Sequence, residues 1–327
     1  MQNERLKKLE KRLEILLLKN ETLGKYKTIW EKDLDLYYKK IWDERLFRQY
    51  APLKTRWEIV KDHDEIRHIL EENYSSKGRG AEYEEGLPSG TVISSSLRPI
   101  NMQKDLFKLT YLNNVDEEEF RQNELRSKEA LYAGSFFHKC LELWLISPLP
   151  KEKRNIDDII ELALNDEEIK IKVPNIKDRE VKYKLFAKET LPKFIQEIIC
   201  RYDLVGSEIY LNTGKLQGSV DVLLKRNGKF VLGDFKTTSA LNHKTQKRKF
   251  SSYSTLGDYI YQLAVYTDML INQGYIPECE LNNIEYRIWQ FHLVSHEYKE
   301  FILPNEDVTS KIKECKEILN WYWEMKK

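Results

Sequence analysis

The run Gly218-Ser-Val-Asp221-Val-Leu-Leu-Lys-Arg-Asn227-Gly228-Lys-Phe-Val-Leu-Gly-Asp234-Phe235-Lys236-Thr-Thr decides how this chain is read. Both arms are rich in Val, Leu and Phe, which suits strands. Asn227-Gly228 between them is a strong hairpin signal, because a type I′ turn needs positive φ at both central residues. Counting outward from a two-residue loop, Arg226 faces Lys229, Asp221 faces Asp234, and Ser219 faces Lys236. Facing side chains share one side of a sheet, with Cβ atoms about 4.5–5.5 Å apart. Two carboxylates so placed repel unless a cation sits between them, and hard divalent cations take carboxylate oxygens. Lys236 projects to the same face as Asp234, and Phe235 to the other, into the core. The expected site is two carboxylates, a metal and an ammonium on one sheet face. An isolated D-x-K on a strand is most often a solvated ion pair; the facing Asp221 is what lifts this one above that reading. A bulge would shift the register.

The chain has 327 residues, enough for one large domain or two modest ones with a real core. Hydrophobic content of 41% with 33% charged residues fits a globular protein. No apolar run is long enough for a transmembrane helix, so no membrane partner is expected. Glu4, Glu10 and Glu14 among the N-terminal basic residues argue against a signal or transit peptide, and a cytoplasmic protein is expected. Net charge is +1, so any nucleic-acid binding must come from local patches. Cys140, Cys200, Cys279 and Cys315 form no C-x-x-C pair and read as reduced thiols.

Residues 1–85 read as a charged helical extension, with Leu6, Leu9, Leu13 and Leu16 at the spacing of an a/d seam. Two heptads fall short of a coiled coil, and a surface helix docking its stripe is the simpler reading. The stretch Ser75-Ser-Lys-Gly-Arg-Gly80 reads as a linker, giving a boundary near 85 and a second domain over 86–327. Residues 115–145 and 150–200 read as helical, with breaks at Pro148, Pro150 and Pro174. Strands are expected over 207–238 and 283–294, and helices over 256–271 and 306–325. Thr255 and Asp258 stand at capping-box spacing.

Three further groups flank the hairpin. His138 and Glu142, in Gly134-Ser-Phe-Phe-His138-Lys-Cys-Leu-Glu142, share a helix face at i,i+4. A helical histidine is more often structural than a ligand, but neutral imidazole completes carboxylate metal sites. Glu208 opens the first strand and alone would pass for a surface carboxylate. Gln262 and Tyr266 are again i,i+4 on an apolar helix face, where polar groups need partners. In this order the elements read G-x-x-x-H-x-x-x-E, E, G-x-x-D, D-x-K-T and Q-x-x-x-Y. The set resembles the PD-(D/E)xK nuclease superfamily, RecB-type branch. Within that branch the run Asn227–Thr238 and the entry Ser94-Ser-Ser-Leu97 are most similar to the mitochondrial genome maintenance exonuclease and its phage relatives. Residues 1–85 and 150–200 lie outside the likeness.

The resemblance implies an α/β, restriction-endonuclease-like core: a small mixed sheet flanked by helices. It implies that His138, Asp221, Asp234 and the Phe235 carbonyl bind Mg²⁺ or Mn²⁺. It gives Lys236 the task of positioning and helping deprotonate the attacking water, and Glu208 a place at the metal or its water shell. Gln262 and Tyr266 would hold Lys236 and the DNA backbone, and Glu142 would orient His138. The clustered cysteines of iron–sulfur members are missing, so no cluster is expected. Between 225 and 250 eight Lys and Arg meet one acid, Asp234. Lys244, Lys247, Arg248, Lys249 and Tyr253 interleave charge with an aromatic ring, which suits single-stranded DNA against the alternative of a plain solvated loop. The expected activity is a metal-dependent DNA exonuclease preferring single-stranded ends, in replication, recombination or repair. Residues 1–85 would meet partner proteins of those processes. Two rivals stay open: a flap endonuclease of the same fold, and a DNA-binding recombination protein with a silent site. The Lys-, Tyr- and Ile-rich composition points to an AT-rich bacterial or phage genome.

Overall fold

The computed structural model describes residues 16–19, 87–96, 115–173, 175–239, 250 and 256–325. Strands β2 (Gln217–Arg226) and β3 (Lys229–Thr238) form the antiparallel hairpin read from the sequence. Asn227 and Gly228 both adopt positive φ, 52° and 80°, as a type I′ turn requires. Pairing runs from Arg226↔Lys229 to Val222↔Gly233 and stops there. One place further, Asp221 Oδ2 accepts the Phe235 N–H at 2.6 Å. A side chain has taken the donor the ladder would have used, so Asp221/Asp234 and Ser219/Lys236 do not face each other as ladder pairs. Beyond the parting, residues 87–89 join β2 instead: the Gln217 N–H donates to the Pro88 carbonyl and Gln217 Nε2 to the Leu87 carbonyl, both at 3.1 Å.

Strands β1 (Asp203–Asn212), β4 (Glu285–His292) and β5 (Glu297–Leu303) complete a five-stranded sheet of order β1-β2-β3-β4-β5. Only β3 and β4 are parallel, and a parallel pair needs a long crossover. The described helices are α1 (Gly90–Ser96), α2 (Glu117–Ile146), α3 (Ile156–Asn165), α4 (Glu167–Lys172), α5 (Ile176–Glu197), α6 (Gly257–Asn272), α7 (Asn305–Thr309) and α8 (Ile312–Met325). Helix α6 supplies the crossover from β3 to β4. This is the α/β mixed-sheet, restriction-endonuclease-like architecture expected above. Strand β5 is an addition to the sequence reading. Its Glu297, Lys299 and Glu300 look solvated in one dimension, yet it is an edge strand with only Phe301 and Leu303 buried.

Contacts divide the chain into two units, 1–73 with 96–127 and 74–95 with 128–327. In the first, residues 16–19 are helical, and the first turn of α2 is capped by Asp116 Oδ1, which accepts the Glu119 N–H at 2.8 Å. The rest of the leucine seam lies outside the described residues. In the second unit, α2 buries Ala133, Phe136, Phe137, Cys140, Leu141, Trp144 and Leu145, one helical stripe. They pack with Tyr183, Phe186 and Phe194 of α5 against Val231, Phe235, Trp289 and Phe291 of the sheet. Arg154 closes the end of α2 by donating to the carbonyls of Trp144 (2.7 Å) and Ser147 (2.9 Å). Helix α5 continues through Pro192. Helix α6 starts from Leu256 with no side-chain cap; Thr255 and the Asp258 side chain of the expected capping box lie outside the described residues.

Candidate active site

The parting of β2 and β3 is where the chemistry-bearing side chains collect. Between Ser207↔Val222 and Ile209↔Val220, Glu208 stands across from Asp221. Like charges directly opposite are destabilising. Glu208 also holds a φ of 47°, a left-handed backbone that costs a glutamate energy. Ser219 Oγ donates to Glu208 Oε2 at 3.1 Å, and Ser207 Oγ to the Asp221 carbonyl at 3.1 Å. His138 arrives from α2, its Nδ1 3.8 Å from Glu208 Oε1 and 3.9 Å from Asp221 Oδ2. Those gaps are too long for hydrogen bonds. One ligand atom from each of the three residues lies within 4.8 Å of the others. Cis ligands about 2.1 Å from an octahedral cation are about 3 Å apart, and trans ligands about 4 Å.

On β3, Phe235 turns into the core beside Phe194, Trp289 and Phe291, so Asp234 and Lys236 turn the other way. Lys236 Nζ donates to Asp234 Oδ1 at 2.6 Å. Asp234 is 2% exposed, and its Oδ2 has no hydrogen-bond partner among the described residues. Burial lifts the Asp234 carboxyl to about 6; Lys236 opposes the rise and Asp221 adds to it. Burial raises Asp221 as well, opposed by His138, Lys236 and the Phe235 N–H and assisted by Glu208. His138 is also raised: burial works to lower it, but Asp221 and Glu208 prevail. For Lys236 burial again pulls down and the two aspartates more than offset it, so the ammonium keeps its proton. A protonated Lys236 donates hydrogen bonds and accepts none.

Two glycines explain why the elements approach so closely. A Cβ on Gly134 would lie 2.6 Å from Thr237 Oγ1, and Thr237 donates to the Ala130 carbonyl of α2 at 3.1 Å. The missing side chain seats α2 on β3 and so brings His138 to the carboxylates. A Cβ on Gly218 would lie 2.7 Å from Tyr266 Cε1. Tyr266 is buried; burial raises its pKa, and hydrogen bonding with Thr91 and Gln262 holds it back. Asp221 and Lys236 also perturb this hydroxyl, so it shares their electrostatic neighbourhood.

The structure thus brings together His138, Glu208, Asp221, Asp234 and Lys236, with Gln262 and Tyr266 alongside. It groups Glu208 with His138 and Asp221 as ligand atoms, and holds Asp234 on Lys236. The Phe235 N–H points to Asp221; in an extended strand a residue's N–H and C=O leave by the same edge, so its carbonyl faces the same gap. Glu142 is held by Lys139 at 2.9 Å. Lys139 also reaches Asp166 and Glu168, which ties α2 to α4. Lys244, Lys247, Arg248, Lys249 and Tyr253 lie outside the described residues. Residues not singled out from the sequence also reach this place: Thr91 on Tyr266, Ser219 on Glu208, and Tyr259, whose ring lies 5.2 Å from Lys236 Nζ. Nothing in the sequence marks Thr91.

The donor set suits a hard divalent cation: one imidazole, several carboxylate oxygens and one buried oxygen, Asp234 Oδ2, without a hydrogen bond among the described residues. A profile of the PD-(D/E)XK nuclease superfamily matches residues 106–320. The chain belongs to this superfamily. Members of this superfamily are generally nucleolytic hydrolases that use divalent metals. No curated protein matches this nuclease. No helix among its described residues is long and apolar enough to cross a membrane.

Proposed function

We propose that this nuclease is a DNA exonuclease of the RecB-type branch that degrades single-stranded ends with Mg²⁺ or Mn²⁺. The observation that carries the reading is the convergence of His138, Glu208 and Asp221 beside the buried Asp234–Lys236 pair. In this reading Asp221, Asp234, His138 and the Phe235 carbonyl hold the cation, with Glu208 either joining them or ordering their water. Bound there, a divalent ion would lower the pKa of a water molecule and draw charge from the phosphate oxygens. Lys236 orients that water through its N–H groups and meets the charge that develops on phosphorus. Tyr266 and Gln262 brace the wall of the cleft and contact the DNA backbone. The excess of Lys and Arg over residues 225–250 supports an approach of phosphates from this side. Lys244, Lys247, Arg248, Lys249 and Tyr253 are the proposed grip on the strand. Residues 1–85 are proposed to meet replication or recombination proteins, with 86–327 as the nuclease domain.

Purified protein with Mg²⁺ or Mn²⁺ is given end-labelled linear and circular single-stranded DNA, with Asp234→Ala as control. Loss of the linear strand alone, abolished by the substitution, is the expected result. Cutting of the circle would move the assignment to a flap-type endonuclease. Binding without cutting, on either metal, would make this a DNA-binding protein with a silent site.

A further inference from the structure

Helix α6 carries Tyr259, Gln262 and Tyr266 at i, i+3 and i+7, one face of the helix. Gln262 and Tyr266 belong to the motif; Tyr259 belongs to none. Its ring is only partly buried, and a cation lies against it: Lys236 Nζ is 5.2 Å from the ring centroid. A cation within about 6 Å of an aromatic face is attracted by the ring quadrupole. The Asp234 carboxylate and this ring both engage the Lys236 ammonium. They act differently. The carboxylate takes an N–H and ties the ammonium down. The ring attracts the charge while leaving the N–H groups free to point elsewhere.

We propose that Tyr259 is a positioning residue for Lys236. Resting on the nuclease reading above, it holds the ammonium over the cleft once Asp234 directs its charge to a cation. The ring, not the hydroxyl, carries this role. Tyr259 acts through Lys236, so its loss slows the chemical step more than it weakens DNA binding.

The test compares wild type with Tyr259→Phe and Tyr259→Leu; Tyr259→Met replaces the leucine variant if that one does not fold. One readout needs neither metal nor DNA. With ¹³C at lysine Cε, the Lys236 signal is identified by its loss in Lys236→Arg. A ring above the ammonium displaces this signal in wild type and Tyr259→Phe, and the displacement disappears in Tyr259→Leu. The second readout is steady-state cleavage. Tyr259→Leu should lower kcat by about 3- to 30-fold with little change in KM, the range set by the strength of a cation–π contact. Tyr259→Phe should keep most of the rate. An unmoved Lys236 signal, a wild-type kcat in Tyr259→Leu, or equal losses in both variants would overturn the proposal. A wild type that cuts no DNA, yet whose Lys236 signal moves in Tyr259→Leu, would overturn the nuclease reading and leave the Lys236–Tyr259 contact supported.

Discussion

Replacing Gly218 with alanine should destabilise the protein through a single neighbour, Tyr266. The added Cβ would lie 2.7 Å from Tyr266 Cε1, about 1 Å inside an ordinary carbon–carbon contact. The ring has little room to retreat. A Cβ on Gly90 would meet the same Cε1 at 2.8 Å, and Thr91 and Gln262 lie near the hydroxyl. Overpacking a rigid site costs about 1–3 kcal/mol, and the confinement here argues for about 2 kcal/mol. In a unit of roughly 200 residues that lowers Tm by about 4–8 °C, which circular dichroism melting resolves. The decisive control is a double-mutant cycle. Tyr266→Ala is itself destabilising, but it opens the space the new methyl needs. In that background Gly218→Ala should cost less than about 0.5 kcal/mol. If Gly218→Ala is as stable as wild type, or its penalty persists without the Tyr266 ring, close approach is not why glycine stands there.

Other tests bear on the charges. His138, Asp221 and Asp234 all hold their protons to higher pH than usual, Asp234 to about 6. A carboxyl raised from 3.8 contributes stability below its unfolded value and loses it as pH climbs through the folded one. The metal-free protein should therefore lose stability from about pH 4 to pH 7 through these groups. Mg²⁺ or Mn²⁺ competes with the same protons, so the metal-induced rise in Tm, read by differential scanning fluorimetry, should grow over that interval. A metal effect that is flat with pH would place the ion elsewhere. Glu208→Gly removes a strained φ worth about 1 kcal/mol and a charge opposite Asp221. It should leave the metal-free protein at least as stable as wild type while reducing the metal-induced shift; a clear loss of metal-free stability would show that Glu208 is structural.

The hairpin was legible because Asn227-Gly228 fixes both turn type and register, and the observed ladder follows that count as far as Val222↔Gly233. The next pair failed for a reason that periodicity does not encode: the Asp221 side chain competes for the Phe235 N–H. Glu208 stands out in the sequence as a carboxylate at a strand start, but its place opposite Asp221 does not. The β1–β2 turn at 213–216 lacks an Asn-Gly signature, and a bulge between Leu204 and Gly206 shifts the count. Strand β5 was missed because its charges hide an edge strand whose apolar positions are few. In the sequence Gly134 is only a motif letter. Its meaning, a helix seated on Thr237, needs the third dimension.

The parallel pairing of β3 with β4 also sets an order of events for the growing chain. The β2–β3 hairpin closes over two residues, the sort of contact that forms in about 1–10 µs. Val231 must then wait for Glu285, 54 positions later, before β3 gains its second neighbour. During that wait the β3 edge beside Phe235 lies open to other chains, the exposure that invites aggregation. Lys236 receives its ring from α6 in the same interval. A ribosome that has released only the hairpin has therefore made the acidic half of the cleft without the helix and strand that complete it, and truncated products ending before Glu285 should be both inactive and prone to self-association.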